Sequence, residues 1–132
     1  DGHGLKMLKD TGVRLAIITG RSSRVVEHRA KNLGIDIVYQ GAHDKLAVYE
    51  ALCRELGLAC EATAYMGDDV VDLPVMRRAG LAITVPAAPE LVKAHSHYTT
   101  TREAGRGAVR EACEFLMRVQ GTLDAALAPY LR

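Results

Sequence analysis

Residues 64–74 read Ala-Tyr-Met-Gly-Asp-Asp-Val-Val-Asp-Leu-Pro. This stretch is the strongest indication in the chain of both the fold and the chemistry. The stretch begins as an apolar strand, stops at a glycine, and then places Asp68, Asp69 and Asp72 within five positions. Carboxylates this close repel one another unless a positive charge lies between them. Mg²⁺ suits such a place, because it binds one or two carboxylates and leaves its other positions to water and phosphate. The stretch therefore predicts a magnesium and phosphate site at the end of a strand.

A helix start is the other interpretation of the same acids. Pro74 fits the first turn of a helix, where no N–H is needed, so Asp68 and Asp72 would lie one turn apart on the same side. The helix dipole alone favours acidic residues at such a position, without any metal. We prefer the metal interpretation because three acids directly follow a strand that looks buried.

Apolar runs and amphipathic segments alternate along the whole chain. Nearly continuous apolar runs such as residues 13–18 are typical of strands covered on both faces of a parallel sheet, whereas apolar residues three or four apart indicate helices. The alternation predicts a three-layer, Rossmann-like α/β fold with a mostly parallel sheet. The predicted strands cover residues 13–18, 35–39, 63–66, 81–85 and 97–100; the predicted helices cover residues 5–12, 22–34, 44–57, 74–80, 90–94 and 108–120, with a weakly helical tail at 122–132.

Residues at the ends of these helices fit capping roles. Ser22 or Ser23 is expected to cap the second helix, whose apolar stripe includes Val25. Asp44 is expected to cap the third helix, and Gly57 to end it.

Composition fits one soluble domain over residues 1–132. With 48% hydrophobic and 25% charged residues, the chain can bury a core, and 17 basic against 16 acidic side chains give a net charge of +1. This balance gives no overall attraction to nucleic acid or to an anionic membrane, and no apolar run approaches the ~18 residues of a membrane span. The three cysteines lack the spacing of a zinc site or a disulfide framework, which favours a cytoplasmic protein.

Three segments follow the predicted strands directly: Thr19-Gly20-Arg21, residues 40–45 and residues 68–72. In a parallel sheet the carboxyl ends of the strands share one edge, where ligands bind. The hydroxyl of Thr19 and the Gly20 amide suit phosphate oxygens, and Lys45 supplies a compact positive charge. Taken singly, each has an ordinary explanation as a turn or a solvated lysine. Their order and their shared edge together indicate phosphoryl transfer.

This order of motifs resembles that of the haloacid dehalogenase-like phosphatases, whose later three motifs are a strand ending in Ser or Thr, a lysine, and an acidic strand end. Four segments resemble more closely the subfamily that hydrolyses 3-deoxy-D-manno-octulosonate 8-phosphate. They are IITGR at 17–21, YQG at 39–41 followed four residues later by Lys45, YMGDDVVDLPVM at 65–76 and GRGAVRE at 105–111. The resemblance covers nearly the whole chain.

The resemblance implies Mg²⁺-dependent hydrolysis of a small phosphorylated sugar acid through an aspartyl-phosphate, in lipopolysaccharide precursor synthesis. It also implies a homotetramer with little or no cap domain. Asp68 would ligate the metal directly, while Asp69 and Asp72 would bind metal waters or steady Lys45. Lys45, with Thr19 and the Gly20 amide, would offset charge on the transferring group.

Two arginines have open roles under this resemblance. Arg21 could bind the carboxylate of the sugar acid or pair with a neighbouring helix. Arg106 has the same alternatives, since Gly105 and Gly107 could make its turn a purely structural cap. The tail at 123–131 could contact another subunit or pack on its own domain.

One departure from the family pattern concerns the first motif, D-x-D, which supplies the nucleophile and the general acid/base. The sequence has no such pair on a strand, and Asp1 is expected only to cap the first helix. The family places the D-x-D strand between the strands that end at Thr19 and Gly67. We therefore expect residues 1–132 to be an N-terminally incomplete fragment that is inactive alone.

The alternatives are a phosphatase for another, nine-carbon sugar-acid phosphate and a catalytically dead oligomerisation or binding domain.

Overall fold

The computed structural model describes residues 2–132, so the expected cap at Asp1 lies outside the described residues. The predicted alternation of strands and helices is confirmed. The strands are β1 (Ala16–Ile18), β2 (Ile37–Tyr39), β3 (Ala64–Met66), β4 (Leu81–Thr84) and β5 (Tyr98–Thr99). The helices are α1 (Gly2–Asp10), α2 (Arg24–Asn32), α3 (Lys45–Leu56), α4 (Leu73–Met76), α5 (Glu90–Ala94), α6 (Ala108–Gln120) and α7 (Leu123–Leu127), with short 3₁₀ turns at Cys60–Ala62, Val70–Asp72 and Ala128–Leu131.

All strand pairs are parallel, but within residues 2–132 they form two separate sheets. β1 pairs with β2, with Ile17 opposite Val38, and the second sheet has the order β3-β4-β5. β1 and β3 each have one strand neighbour among the described residues. The first residues of these two strands, Ala16 and Ala64, are exposed. One edge of β1 and one edge of β3 are therefore left without a strand partner in this part of the chain.

Strand β1 is shorter and less covered than the sequence predicts. The apolar run at 13–18 predicts a strand buried on both faces, but the strand begins at Ala16, and Ile17 and Ile18 are half-buried. Val13 and Leu15 instead pack against a cluster formed by α1 and α6. The prediction of a strand buried on both faces was thus wrong, because residues 13–18 are half-buried or exposed and part of the run serves helix packing.

Helix ends follow local chemistry. The Ser23 hydroxyl accepts a hydrogen bond from the Val26 amide at 3.3 Å, and the Asp44 carboxylate accepts one from the Ala47 amide at 3.1 Å. Gly57 ends α3 in the left-handed region, at φ 67°. These predicted caps are confirmed.

Val25 is the exception on α2, because its side chain is 77% exposed and the prediction that it belongs to the buried stripe was wrong. Ala30 is the buried residue of this helix. No α2 residue belongs to the hydrophobic clusters found among residues 2–132, so little of this helix is covered.

Helix α3 connects the two sheets. Tyr49 and Cys53 on its inner face are buried together with Val75 of α4. Ile18 of β1 and Tyr65 of β3 pack against this same cluster. Since one residue comes from each sheet, α3 fixes the position of the first sheet relative to the second.

A second cluster buries α6 against α1 through Met7, Leu8, Cys113 and Met117. Leu123 and Leu127 of α7 pack against it, so this part of the tail lies on its own domain. Tyr130 and Leu131, in contrast, are exposed. None of the helices in residues 2–132 has the length and apolar character needed to cross a membrane.

We predict that Gly80→Ala destabilises the fold. A Cβ at position 80 would overlap the carbonyl oxygen of Glu61, a backbone atom that cannot easily move, and the Gly80 amide is held by the Cys60 carbonyl at 3.0 Å. The expected loss in the free energy of unfolding is about 1–3 kcal/mol, measured by urea denaturation. Gly20→Ala is the matched control, because the nearest atom to its Cβ would be the Ala42 oxygen at 3.7 Å. Equal losses in the two variants would contradict the steric explanation.

Candidate functional site

The loops after β1, β2 and β3 lie close together, because the Ala42 amide donates to the Thr19 carbonyl at 2.9 Å and Lys45 Nζ lies 2.9 Å from the Asp72 carboxylate. They begin at Thr19, Gln40 and Gly67, respectively. Lys45 is the first residue of α3 and follows the second of these loops. These two contacts bring the three segments together.

The Thr19 loop is tied to the loop after β2 by hydrogen bonds. The Thr19 amide donates to the Tyr39 carbonyl at 2.9 Å, and the Thr19 carbonyl accepts from the Ala42 amide at 2.9 Å. The Thr19 hydroxyl oxygen accepts from the Arg21 amide at 3.1 Å. A hydroxyl that accepts one hydrogen bond still has its own proton to donate. Thr19 is therefore held in place with a donor available for an anionic oxygen.

Asp72 is the centre of the acidic loop, and it is only 3% exposed. One carboxylate oxygen accepts hydrogen bonds from Lys45 Nζ at 2.9 Å and from the Tyr65 hydroxyl at 2.8 Å. The other oxygen accepts from the amides of Asp68 at 3.0 Å and Asp69 at 3.2 Å. Both oxygens are thus satisfied by donors from α3, β3 and the loop itself, as a buried charge requires.

The protonation of this centre follows from its contacts. Burial opposes ionisation of Asp72, but the hydrogen bonds from Lys45 and Tyr65, the Lys45 charge and the Asp68 amide outweigh it and hold the pKa of Asp72 below its ordinary value. Burial raises the pKa of Tyr65, and the neighbouring Asp72 carboxylate raises it further. At neutral pH Asp72 is therefore an acceptor and Tyr65 a donor.

Gly67 makes room for the inward turn of Asp72. A Cβ at position 67 would lie 2.5 Å from the Asp72 Cβ and 2.6 Å from its carboxyl carbon. Only glycine, with no side chain, lets the Asp72 side chain fold back under the loop. Asp69 and Asp72 also cap each other's backbone in a capping box at the start of the 3₁₀ turn. The order Gly-Asp-Asp-x-x-Asp thus specifies one compact loop.

The three acids therefore differ in their surroundings. Asp72 is turned into the protein, where it contacts Lys45, one of the two roles expected for it. The side chains of Asp68 and Asp69 are exposed at the edge, so Asp68 and Asp72 do not present a matched pair to solvent as the helical spacing predicted. Within residues 2–132, no three His, Cys, Asp or Glu side chains are grouped so as to hold a metal ion.

The donor chemistry at this edge fits Mg²⁺ with Asp68 as the protein ligand. Mg²⁺ commonly takes one or two carboxylates and completes its octahedron with water and phosphate oxygens. Asp68 is an exposed carboxylate at this edge, its backbone fixed through its amide by Asp72. The direct metal role of Asp68 and the outer roles of Asp69 and Asp72 stay predictions.

The two arginines with open roles are both exposed. Arg21 takes part in the turn through its backbone, with its carbonyl accepting from the Gly41 amide at 2.9 Å. The Arg106 amide donates to the Glu103 carbonyl at 3.0 Å, between Gly105 at φ 75° and Gly107 at φ 102°. The glycines thus shape the Arg106 turn as expected, while the arginine side chain is presented to solvent.

Glu111 is a residue that sequence reasoning missed, although it ends the quoted segment GRGAVRE. Its carboxylate accepts hydrogen bonds from the Tyr98 hydroxyl at 2.6 Å, the Thr101 hydroxyl at 2.9 Å, the Thr101 amide at 2.9 and 3.0 Å, and the Arg102 amide at 3.0 Å. The sequence did contain a signal for Glu111, because it is an acid in the first turn of a helix that follows a glycine-rich turn. Carboxylates at such positions commonly accept hydrogen bonds from backbone N–H groups.

Tyr65 was also missed. It lies inside the quoted acidic segment, and its signal was a tyrosine hydroxyl on a strand expected to be buried, which needs a hydrogen-bond partner.

Residues 3–80 match the family model of haloacid dehalogenase-like hydrolases. The parallel α/β arrangement and the order of Thr19, Lys45 and the acidic loop agree with this match. The chain belongs to the haloacid dehalogenase-like hydrolases, and the resemblance seen in the sequence is confirmed.

The relatives are sugar-acid phosphatases. The chain is 43% identical over 126 residues to 3-deoxy-D-manno-octulosonate 8-phosphate phosphatase of Escherichia coli K12, which covers 96% of this chain and 67% of the relative. The Moraxella catarrhalis enzyme, solved with magnesium ion, phosphate ion and KDO, is 47% identical with a TM-score of 0.95 over 98% of this chain and 74% of that one. The Yersinia pestis enzyme is 42% identical with a TM-score of 0.90 over 93% and 66%, respectively. The chain thus spans about two thirds to three quarters of these proteins.

We predict that Asp72→Asn destabilises the protein by about 2–4 kcal/mol, because it leaves the partly buried Lys45 ammonium without its counter-charge. The Lys45 side chain is 19% exposed, so water can partly solvate its charge. The expected loss of unfolding free energy therefore lies at the lower end of this range, near about 2 kcal/mol. Urea denaturation measures the loss. Asp69→Asn is the control, since asparagine caps about as well as aspartate and this side chain is exposed. A loss in Asp69→Asn as large as in Asp72→Asn would refute the special role of the buried ion pair.

The pH dependence of stability gives an independent prediction for Glu111. Burial raises the pKa of Glu111, but the hydrogen bonds from Tyr98, Thr101 and Arg102 lower it to about 2, below the value of 4.5 for a free glutamate. The pKa of Glu111 is lower in the folded protein than in the unfolded chain. The ionised carboxylate therefore stabilises the fold fully above about pH 4.5, and this stabilisation is lost as the pH falls towards 2. The difference in unfolding free energy between the wild type and Glu111→Gln should therefore shrink over this range in urea titrations. A difference that stays constant from pH 7 to pH 3 would contradict this.

Proposed function

We propose that the chain is the larger part of a Mg²⁺-dependent phosphatase that converts 3-deoxy-D-manno-octulosonate 8-phosphate to the free sugar acid and phosphate. The observation that carries the proposal is the Lys45–Asp72 ion pair, at 2.9 Å, at the edge that also bears Thr19 and the exposed Asp68. The names of relatives 42–47% identical support the substrate, and the magnesium, phosphate and KDO in the Moraxella structure support the cofactor and the ligand class.

In this proposal each side chain has a limited task. The Thr19 hydroxyl and the Gly20 amide donate to phosphate oxygens, and the Lys45 ammonium offsets negative charge that builds up during transfer. Asp72 positions that ammonium and orders the loop. Asp68 would hold Mg²⁺, which when bound neutralises charge on the phosphate and orients it.

The nucleophile of the proposed aspartyl-phosphate route is an aspartate of the D-x-D motif. We propose that its strand lies between β1 and β3 in the active enzyme. The support is the division of the sheet, since β1 and β3 each have an edge without a strand partner among residues 2–132. Insertion of one parallel strand there would pair both edges and join the two sheets into one. Residues 1–132 on their own are then expected to lack phosphatase activity.

The proposal also includes a cytoplasmic homotetramer acting in lipopolysaccharide precursor synthesis. It is supported by the subfamily likeness of the sequence, and by Tyr130 and Leu131, which are 61% and 82% exposed at the end of the tail. Size-exclusion chromatography with light scattering measures the mass of the assembly and so tests the tetramer separately from the chemistry.

The proposal predicts loss of phosphate release on removal of the metal or of its ligand. In a protein that also contains the proposed D-x-D strand, EDTA treatment and Asp68→Ala should each lower the rate with 3-deoxy-D-manno-octulosonate 8-phosphate by at least about 100-fold, and Mg²⁺ should restore only the wild type. Asp36→Ala is the control, because Asp36 is an exposed acid just before β2, at the opposite end of the strands.

Two outcomes would reject parts of this proposal. Activity that survives both EDTA and Asp68→Ala would remove Asp68 and the metal from the mechanism. Efficient hydrolysis of a nine-carbon sugar-acid phosphate, with no turnover of the eight-carbon one, would replace the substrate and keep the reaction.

A further inference from the structure

Tyr65 shares one carboxylate oxygen of Asp72 with Lys45. The Tyr65 hydroxyl donates to Oδ1 at 2.8 Å, and Lys45 Nζ donates to the same atom at 2.9 Å. The other oxygen, Oδ2, accepts from the amides of Asp68 and Asp69 at 3.0 and 3.2 Å. An ionised carboxylate has about four lone-pair positions, so these donors fill all of them. Each oxygen therefore has no position left for water or for a second direction of approach by the ammonium.

The Tyr65 hydroxyl is the more rigid of the two donors on Oδ1. Tyr65 lies on strand β3, opposite Ala82 of β4, and its ring packs against the cluster that contains Met76 and against the cluster that contains Tyr49. A tyrosine side chain has only two torsions, so this packing fixes the place of its hydroxyl. Lys45, in contrast, carries its ammonium on a flexible four-carbon stem and is partly exposed. The ammonium therefore depends on its hydrogen bond for its position.

The Lys45 ammonium has donors left for another group. An ammonium has three N–H donors, and Asp72 binds one of them. Among residues 2–132 no second hydrogen-bond acceptor for Lys45 Nζ is found. Because Tyr65 occupies one side of Oδ1, Lys45 approaches that oxygen from the other side, and its remaining N–H groups keep one direction. In the proposed enzyme these N–H groups offset charge on the transferring phosphoryl group.

Loss of the Tyr65 hydroxyl would loosen the ammonium. Oδ1 would have a free lone pair, so Lys45 could bind that oxygen from either side, and water could take the side left open. Asp72 would also lose the one donor that belongs to the sheet. A charge stabilises a transition state best when it needs no rearrangement at the moment of reaction. A mobile ammonium would therefore slow the transfer step more than it weakens the binding of substrate.

We propose that Tyr65 is a positioning residue for phosphoryl transfer: its hydroxyl fixes Asp72 and, through the shared oxygen, the direction of the Lys45 ammonium. No contact between Tyr65 and the substrate is part of the proposal. The inference rests on the proposed function and adds to it a residue that acts through two others. In a purely structural role, the same hydrogen bond would contribute to stability and leave the rate unchanged.

The test is Tyr65→Phe in the enzyme with the D-x-D strand present, with 3-deoxy-D-manno-octulosonate 8-phosphate and p-nitrophenyl phosphate as substrates. Phenylalanine keeps the ring and removes only the hydroxyl, and Asp72 keeps its other donors, so the variant should fold. We expect kcat to fall about tenfold for both substrates, because both transfer a phosphoryl group, while KM changes less than about twofold. Steady-state kinetics at saturating Mg²⁺ measures both constants.

Tyr98→Phe is the matched control. Tyr98 also donates its hydroxyl to a carboxylate, that of Glu111, at 2.6 Å, so the variant loses a comparable hydrogen bond. In the part of the chain that the structure describes, the Tyr98 hydroxyl has no hydrogen bond to Asp72 or Lys45. Both variants should lose stability in urea denaturation, but only Tyr65→Phe should lose kcat.

The Lys45 ammonium provides a readout independent of catalysis. NMR relaxation of the Lys45 Nζ nitrogen, in enzyme with isotope-labelled lysine, measures the mobility of this group. Tyr65→Phe should raise that mobility, and Tyr98→Phe should leave it as in the wild type.

Failure of the inference and failure of the proposed function give different results. If the wild type releases phosphate from both substrates and Tyr65→Phe keeps its kcat, the inference is overturned and the function stands. An equal fall of kcat in Tyr98→Phe, or unchanged mobility of the Lys45 ammonium in Tyr65→Phe, would also overturn it. If the wild type releases phosphate from neither substrate, the proposed function is wrong, and the positioning role in phosphoryl transfer is refuted with it.

Discussion

The buried carboxylate of Asp72 is the constraint on which the site depends. A charge that is 3% exposed is tolerated only when donors from the surrounding structure satisfy it, and these donors come from α3, β3 and the acidic loop. Each donor therefore has to reach one point, which fixes the three segments relative to one another. Gly67 belongs to the same constraint, because any side chain there would displace Asp72. The acidic loop is thereby ordered by contacts within the protein.

The same constraint explains how three adjacent acids avoid mutual repulsion. Asp72 takes the ammonium of Lys45 as its counter-charge and points inward, while Asp69 caps the 3₁₀ turn. Asp68 is left facing solvent, with its amide bound by Asp72. Identical side chains within five positions thus have three different roles, set by their partners and not by their chemistry. The loop thus has two exposed carboxylates, of which we propose that Asp68 binds a cation, and one buried carboxylate that holds the loop in place.

Features that depend on neighbouring residues could be predicted from the sequence. The caps at Ser23 and Asp44, the glycine at the end of α3 and the bounds of α5 and α6 follow from local rules, and the parallel pairing of the strands follows from the alternation of strands and helices. The direction of Asp72 could not be predicted, because it depends on Lys45, 27 positions away, and on a tyrosine hydroxyl from β3. The shortness of β1 also could not be predicted, because Val13 and Leu15 pack against the distant helices α1 and α6.

Helix α3 is the element that makes one site from two sheets. Thr19 belongs to the β1–β2 sheet and Asp68 to the β3–β4–β5 sheet, and within residues 2–132 no strand pairing joins them. The inner face of α3 packs on Ile18 and on Tyr65, one from each sheet, and its first residue is Lys45. This apolar packing sets the distance between the two sheets. The ion pair between Lys45 and Asp72 sets the orientation of the start of α3. Both contacts hold the two sheets in position without a strand between them. In the proposed enzyme, a D-x-D strand between β1 and β3 would place its acidic residues between the Thr19 hydroxyl and the Asp68 carboxylate.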